Sequence, residues 1–66
     1  MNKKNNLTIE ETFALALQNH KKNNLNVAKN FYNKTLKINL NHVDARNNLG
    51  IIFFNLGEHQ KAISCF

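Results

Sequence analysis

LGIIFFNLGEHQKAISCF, Leu49 to Phe66, can be laid on LALQNHKKNNLNVAKNFY, Leu15 to Tyr32, without a gap. The overlay puts Leu15 on Leu49, Ala16 on Gly50, Ala28 on Ala62 and Tyr32 on Phe66, each pair 34 positions apart. Four like-for-like matches at one offset are hard to obtain by chance in so short a chain. A fixed period of this size is the mark of a stacked helical array.

Local signals outward from these stretches give two helix pairs and no strand. Thr8-x-x-Glu11 is a capping box, so the first helix starts just after Thr8. Ile9, Phe13, Ala16 and His20 follow at helical spacing. Asn23 ends this helix, because Asn tolerates the left-handed conformation, as Gly57 does one period later. Asn24 is expected to cap the second helix, whose buried face carries Leu25, Ala28, Tyr32 and Leu36. Asn41-x-x-Asp44 is expected to open the third helix, with Asn as cap and Asp in the first turn. Its core stripe is Ala45, Leu49, Ile52 and Leu56, and Glu58 opens the fourth helix. There, Ala62, Ile63 and Phe66 are expected to pack on Leu49, Ile52 and Phe53.

Ala16, Ala28, Gly50 and Ala62 share almost no side chain, which lets helices approach to the low end of the 8–10 Å packing range. A mid-helix Gly is about 1 kcal/mol worse than Ala, so Gly50 needs a packing reason. Tyr32, Phe53 and Phe66 then fill space beside the crossings.

These residues together resemble the tetratricopeptide repeat (TPR), from Ile9 to Phe66. The second copy is the cleaner one, with Leu49, Gly50, Phe53, Gly57, Ala62 and Phe66 all in place. In the first copy, Leu15, Ala16, Ala28 and Tyr32 match. Asn19 stands where an aromatic is usual, Thr12 and Arg46 occupy the usual Trp position, and Leu40 replaces a proline. The resemblance implies an all-α solenoid of about one and two-thirds repeats, built from two antiparallel helix pairs. Residues 1–8 are then a flexible lead-in, 9–42 the first repeat, and 43–66 a second repeat cut short in its second helix. On this pattern roughly ten further residues, like NKTLKINLNH at Asn33–His42, would follow Phe66. The chain therefore reads as the amino-terminal piece of a longer array.

Composition fits a small intracellular module. The net charge is +5, from nine Lys and Arg against four acids. The Lys are scattered, paired at Lys3–Lys4 and Lys21–Lys22 and single elsewhere, and Arg46 is the only Arg. Asn, Lys, Ile and Phe are all favoured by AT-rich codons, which accounts for the basic balance. Phosphate binding would favour Arg and a basic stripe on one face. The Phe residues fall on packing faces instead of interleaving with Lys, so no nucleic-acid partner is expected. A single cysteine, Cys65, allows no internal disulfide and points to a reduced, cytoplasmic setting. Glu10 and Glu11 break the apolar stretch a signal peptide would need, and no apolar run is long enough for a bilayer.

Chemistry is not expected. Glu10, Glu11, Asp44 and Glu58 are explained by helix starts and the helix dipole. Ser64 and Cys65 have no His at a helical neighbour position, and free Cys packs as a small hydrophobe. His20, His42, His59 and Cys65 lack the spacing of a zinc site, so no metal or cofactor is expected.

What the resemblance does imply is a protein or peptide partner in a concave groove lined by the first helix of each pair. On helical spacing the lining residues are Phe13, Leu17, His20 and Lys21, then Asp44, Asn47, Asn48, Ile51, Phe54 and Asn55. ARNNLG, Ala45 to Gly50, is similar to repeats of bacterial O-GlcNAc-transferase-type arrays. There an asparagine just before the Leu-Gly pair contacts the backbone of bound peptide, and Asn48 matches that position; Ala14 does not. The competing reading is that Asn48 satisfies neighbouring backbone or faces water. A second functional reading sets the array before a glycosyltransferase, sulfotransferase or methyltransferase domain. The uncapped carboxy-terminal helix face is a further expected route to self-association.

Overall fold

The computed structural model describes residues 7–65. These form four α-helices and, among the described residues, no strand: α1 (Ile9–Lys21), α2 (Leu25–Ile38), α3 (Val43–Asn55) and α4 (His59–Cys65). The fold is the all-α helix-turn-helix repeat that the sequence predicts. Helix α1 packs on α2, α2 on α3, and α3 on α4. The expectations for the lead-in 1–6, the Cys65 side chain and Phe66 lie outside what is described.

Helix starts and stops explain the connectivity. Thr8 and Glu11 form the full capping box: Glu11 N–H donates to Thr8 Oγ1 at 3.0 Å, and Thr8 N–H to Glu11 Oε1 at 2.9 Å. Both inter-helix turns inside the pairs are Schellman motifs with the same hydrogen bonds one period apart. After α1, Asn24 N–H bonds Asn19 C=O at 2.8 Å and Asn23 N–H bonds His20 C=O at 3.0 Å. After α3, Glu58 N–H bonds Phe53 C=O at 2.7 Å and Gly57 N–H bonds Phe54 C=O at 3.0 Å. The motif needs one left-handed residue, and Asn23 (φ 66°) and Gly57 (φ 81°) supply it.

Helix caps depart from expectation in two places. Asn24 stands at the start of α2 but makes no side-chain cap bond; its Nδ2 donates to Asn19 Oδ1 at 3.3 Å instead. The cap of α3 is His42 and not Asn41: Ala45 N–H donates to His42 Nδ1 at 3.1 Å. Asn41 is held one turn back, its N–H bonded to Asn39 Oδ1 at 2.9 Å. The His42 ring is also fixed by Phe13 of α1, 4.5 Å away between ring centres. Asp44 does lie in the first turn, as its helix-dipole role requires.

The core is Ala16, Ala28, Tyr32, Ala45, Leu49 and Ile52, with Phe13, Leu17, Leu25, Phe31, Leu36 and Phe53 packed around it. Gly50 and Ala62 are buried as well. Two buried threonines satisfy themselves along their helices: Thr12 Oγ1 donates to Thr8 C=O at 2.8 Å and Thr35 Oγ1 to Phe31 C=O at 2.9 Å. Thr12 is thus covered in the position where Arg46, its counterpart, is exposed and reaches the Leu40 carbonyl. Two apolar residues expected inside are outside. Leu56 follows α3 as its C-cap and turns partly to solvent. Ile63 is 72% exposed. It follows buried Ala62, and one residue turns a helix by about 100°, off the face that meets α3.

Candidate functional site

Asp44, Asn47, Asn48, Ile51, Phe54 and Asn55 stand together on one side of α3, since each lies within about 60° of Ile51 around the helix. All except Asn48 are exposed. Ile51 (43% exposed) and Phe54 (58%) are open to solvent while Leu49 and Ile52, beside them in sequence, are buried. Phe54 stacks on His59 of α4, with ring centres 4.8 Å apart and planes 26° from parallel. The result is a ledge of two apolar side chains bordered by amides and one carboxylate. Side-chain amides can both donate and accept, which suits an unpaired peptide backbone.

The matching positions on α1 are arranged differently. Phe13, Leu17 and His20 are half-buried, and Lys21 is exposed. Phe13 and Leu17 lean on the core. Phe13 meets the Tyr32 ring at 5.9 Å as well as His42. His20 Nδ1 and the Tyr32 hydroxyl share a hydrogen bond of 3.0 Å, with the two rings edge to face.

Tyr32 is the hub of this region. It is wholly buried, and α1, α2 and α3 each contribute to its surroundings. Burial pushes its phenol above the ordinary value of 10.0, and the Asn48 side chain beside it pulls more weakly the other way. Asn48 therefore faces two ways. It stands on the exposed side of α3 by spacing, yet its amide is half-buried next to a phenol. The His20–Tyr32–Asn48 grouping joins residues far apart in sequence, and only the tyrosine's burial was legible there.

The cations also have an order that reading along the chain does not give. Lys29 of α2 and Lys61 of α4 both lie over the Phe53 ring, at 5.9 and 5.6 Å, and Lys34 lies over Phe31 at 5.3 Å. Among the described residues the one ion pair is Lys61 with Glu58, at 4.0 Å.

Among the described residues no group of three or more His, Cys, Asp or Glu side chains is placed to hold a metal ion. No helix among them is long and apolar enough to cross a membrane. No curated protein and no solved structure matches the chain. Residues 43–66, the stretch that holds α3 and α4, match the family model described as tetratricopeptide repeat.

Proposed function

We propose that this chain is a protein-interaction module that takes an extended peptide or partner segment along the exposed side of α3, continued by α1. The observation that carries this is the pair Ile51 and Phe54, apolar and open to solvent on the side of α3 opposite the buried Ala45, Leu49 and Ile52. Exposed Asn47 and Asn55 flank them and offer hydrogen bonds to a backbone. Asn48 contributes from behind, with Tyr32 fixing its amide as a positioned donor or acceptor, in the manner of the O-GlcNAc-transferase-type repeats it resembles. Phe13, Leu17, His20 and Lys21 extend the surface, with Phe13 and His20 acting as its floor more than its rim. The repeat division at residues 9–42 and 43–66 accords with the two identical turns one period apart.

The test begins with a phage-displayed random peptide library panned on the 66-residue chain. Selected peptides are then titrated against Ile51→Ser, Phe54→Ala and Asn48→Ala. Truncating an interface anchor costs about 1–2 kcal/mol or more, so Ile51→Ser and Phe54→Ala should each weaken binding about tenfold. Asn48→Ala should weaken it less, and Lys37→Gln not at all. Peptides that bind the Ile51→Ser, Phe54→Ala double variant as well as the parent would sink the assignment of this face.

A further inference from the structure

His42 stands between the two helix pairs and touches both. Its Nδ1 accepts the N–H of Ala45 at 3.1 Å and so caps α3. Its ring meets the Phe13 ring of α1, with centres 4.5 Å apart and planes 46° from parallel. The residue is half-buried, and its backbone N–H donates to Asn39 C=O at 3.1 Å. Ala45, whose N–H depends on the ring, is wholly buried in the core.

The first copy makes the same bond with different chemistry. Thr8 is the counterpart of His42 and Glu11 the counterpart of Ala45, each 34 positions earlier. There Glu11 N–H donates to Thr8 Oγ1 at 3.0 Å. A hydroxyl keeps its acceptor lone pairs through the neutral and mildly acidic range. An imidazole does not: the nitrogen that accepts must carry no proton, and free histidine gains one near about pH 6.5. A proton on Nδ1 turns the acceptor into a donor aimed at another donor. It also sets a positive charge at the positive end of the α3 dipole.

Two effects act the other way. An imidazolium is attracted to the face of the Phe13 ring, and Asp44 lies in the same helical turn. Asp44 is exposed, so its attraction is screened. The other charged groups in the adjoining turns are Glu10 and Glu11 on α1, Lys37 on α2 and Arg46 on α3, all exposed. Glu11 is engaged by Thr8, and Arg46 by the Leu40 carbonyl. Tyr32, which also meets Phe13, titrates only in the alkaline range. Among the described residues no carboxylate forms an ion pair with His42. The ring attraction is no larger than a helix cap, so losing the cap and opposing the dipole together outweigh it.

We propose that His42 is an acid-sensitive clasp between the two helix pairs. Neutral, it leans on the first pair through Phe13 and caps the second through Ala45. Protonated, it releases the first turn of α3, and with it the hold of one repeat on the next. His20 is not built this way. Its partner is the Tyr32 hydroxyl, which can donate or accept, and it sits in the last turn of α1, where positive charge is favourable. His59 is exposed and stacks on Phe54. The clasp belongs to the fold and does not depend on the α3 ledge binding anything.

Thermal melts of the 66-residue chain by circular dichroism at about pH 8 and about pH 5.5 bracket the imidazole range and stay above that of carboxylates. Losing a cap lowers the folding equilibrium constant about fivefold, so the parent should lose about 4–8 °C of Tm on acidification. His42→Thr, which installs the first copy's own cap, should lose less than about 2 °C over the same step. His42→Asn does the same work if the threonine variant does not fold. His20→Gln and His59→Gln should keep the parent's full loss. A second readout needs no variant: imidazole nitrogen NMR at about pH 8 should find the His42 proton on Nε2, with the Ala45 amide signal following the ring as it titrates. A parent melt indifferent to acid would overturn the clasp. So would a His42→Thr or His42→Asn chain that keeps the whole acid loss, or a neutral His42 that carries its proton on Nδ1.

Discussion

The pair α1–α2 and the pair α3–α4 agree in backbone and disagree in what fills the space beside it. The agreement is at positions where conformation or close approach leaves little choice. Asn23 and Gly57 both adopt the left-handed turn, Ala16 and Gly50 are both buried small residues, and Ala28 and Ala62 both face inward. The disagreement begins one shell out. Asn19, half-buried, bonds back to Leu15 C=O at 2.9 Å, while its counterpart Phe53 offers a ring to two lysines. His20 turns to Tyr32, while its counterpart Phe54 is exposed and stacks on His59. Backbone geometry is thus the invariant of the repeat, and the side-chain chemistry around it is free to become polar in one copy and aromatic in the other. That freedom places an open ledge on α3 and a closed, hydrogen-bonded region on α1.

Overpacking the two equivalent alanines should break this symmetry most strongly. Ala28 belongs to the core cluster, on a helix packed by both α1 and α3. Ala62 lies on the seven-residue α4, which packs on α3. Adding methylenes to a filled core costs about 1–3 kcal/mol, and a domain this small loses about 4–8 °C of Tm per kcal/mol. Ala28→Leu should fall in that range, Ala62→Leu should be milder, and Lys37→Leu on the exposed face should stay within about 0.5 kcal/mol. Equal losses for Ala28→Leu and Lys37→Leu in thermal melts would remove the close-packing account of the small residues.

The turns offer a sharper and smaller contrast. An added Cβ at Gly57 meets nothing within 4 Å, so Gly57→Ala is a test of backbone strain alone. A non-glycine residue in the left-handed region costs about 1–2 kcal/mol, and that loss is expected here. Asn23→Gly should leave stability unchanged or raise it by less than about 1 kcal/mol, because Asn already tolerates the conformation. Urea midpoints with unchanged m-values would report both. If Gly57→Ala is neutral, the two turns are not governed by the same left-handed requirement.

The sequence made the four helices legible because their signals are local. The Thr8–Glu11 box, the Asn23 and Gly57 stops and the spacing of Ala28 and Tyr32 need no knowledge of neighbours. What it hid depends on packing. Asn outranks His as a cap in isolation, yet α3 is capped by His42, whose ring is fixed by Phe13 from another helix. Leu56 and Ile63 are apolar by composition, and their exposure follows from a chain turn and from the rotation of α4 on α3. The α3 side of the candidate site could be read from helical spacing. The Tyr32 hub could not, because it joins side chains from three helices.

Tyr32 also gives the smallest contrast between the copies, and one that needs no change of shape. Burial raises its phenol above the ordinary value of 10.0, so the folded chain holds that proton more tightly than the unfolded chain does. Between the two values the native state binds more protons, and stability falls as pH rises. The contribution is therefore fully present below about pH 10 and is lost as pH climbs through the raised folded value. Tyr32 is the only tyrosine, so phenolate absorbance reports it alone. Tyr32→Phe removes the partner of His20 and should cost about 1 kcal/mol at neutral pH. It should also flatten the alkaline limb of a stability–pH profile measured by urea midpoint. An alkaline limb unchanged in Tyr32→Phe would mean that the phenol is not sequestered, and that α1, α2 and α3 do not close around it.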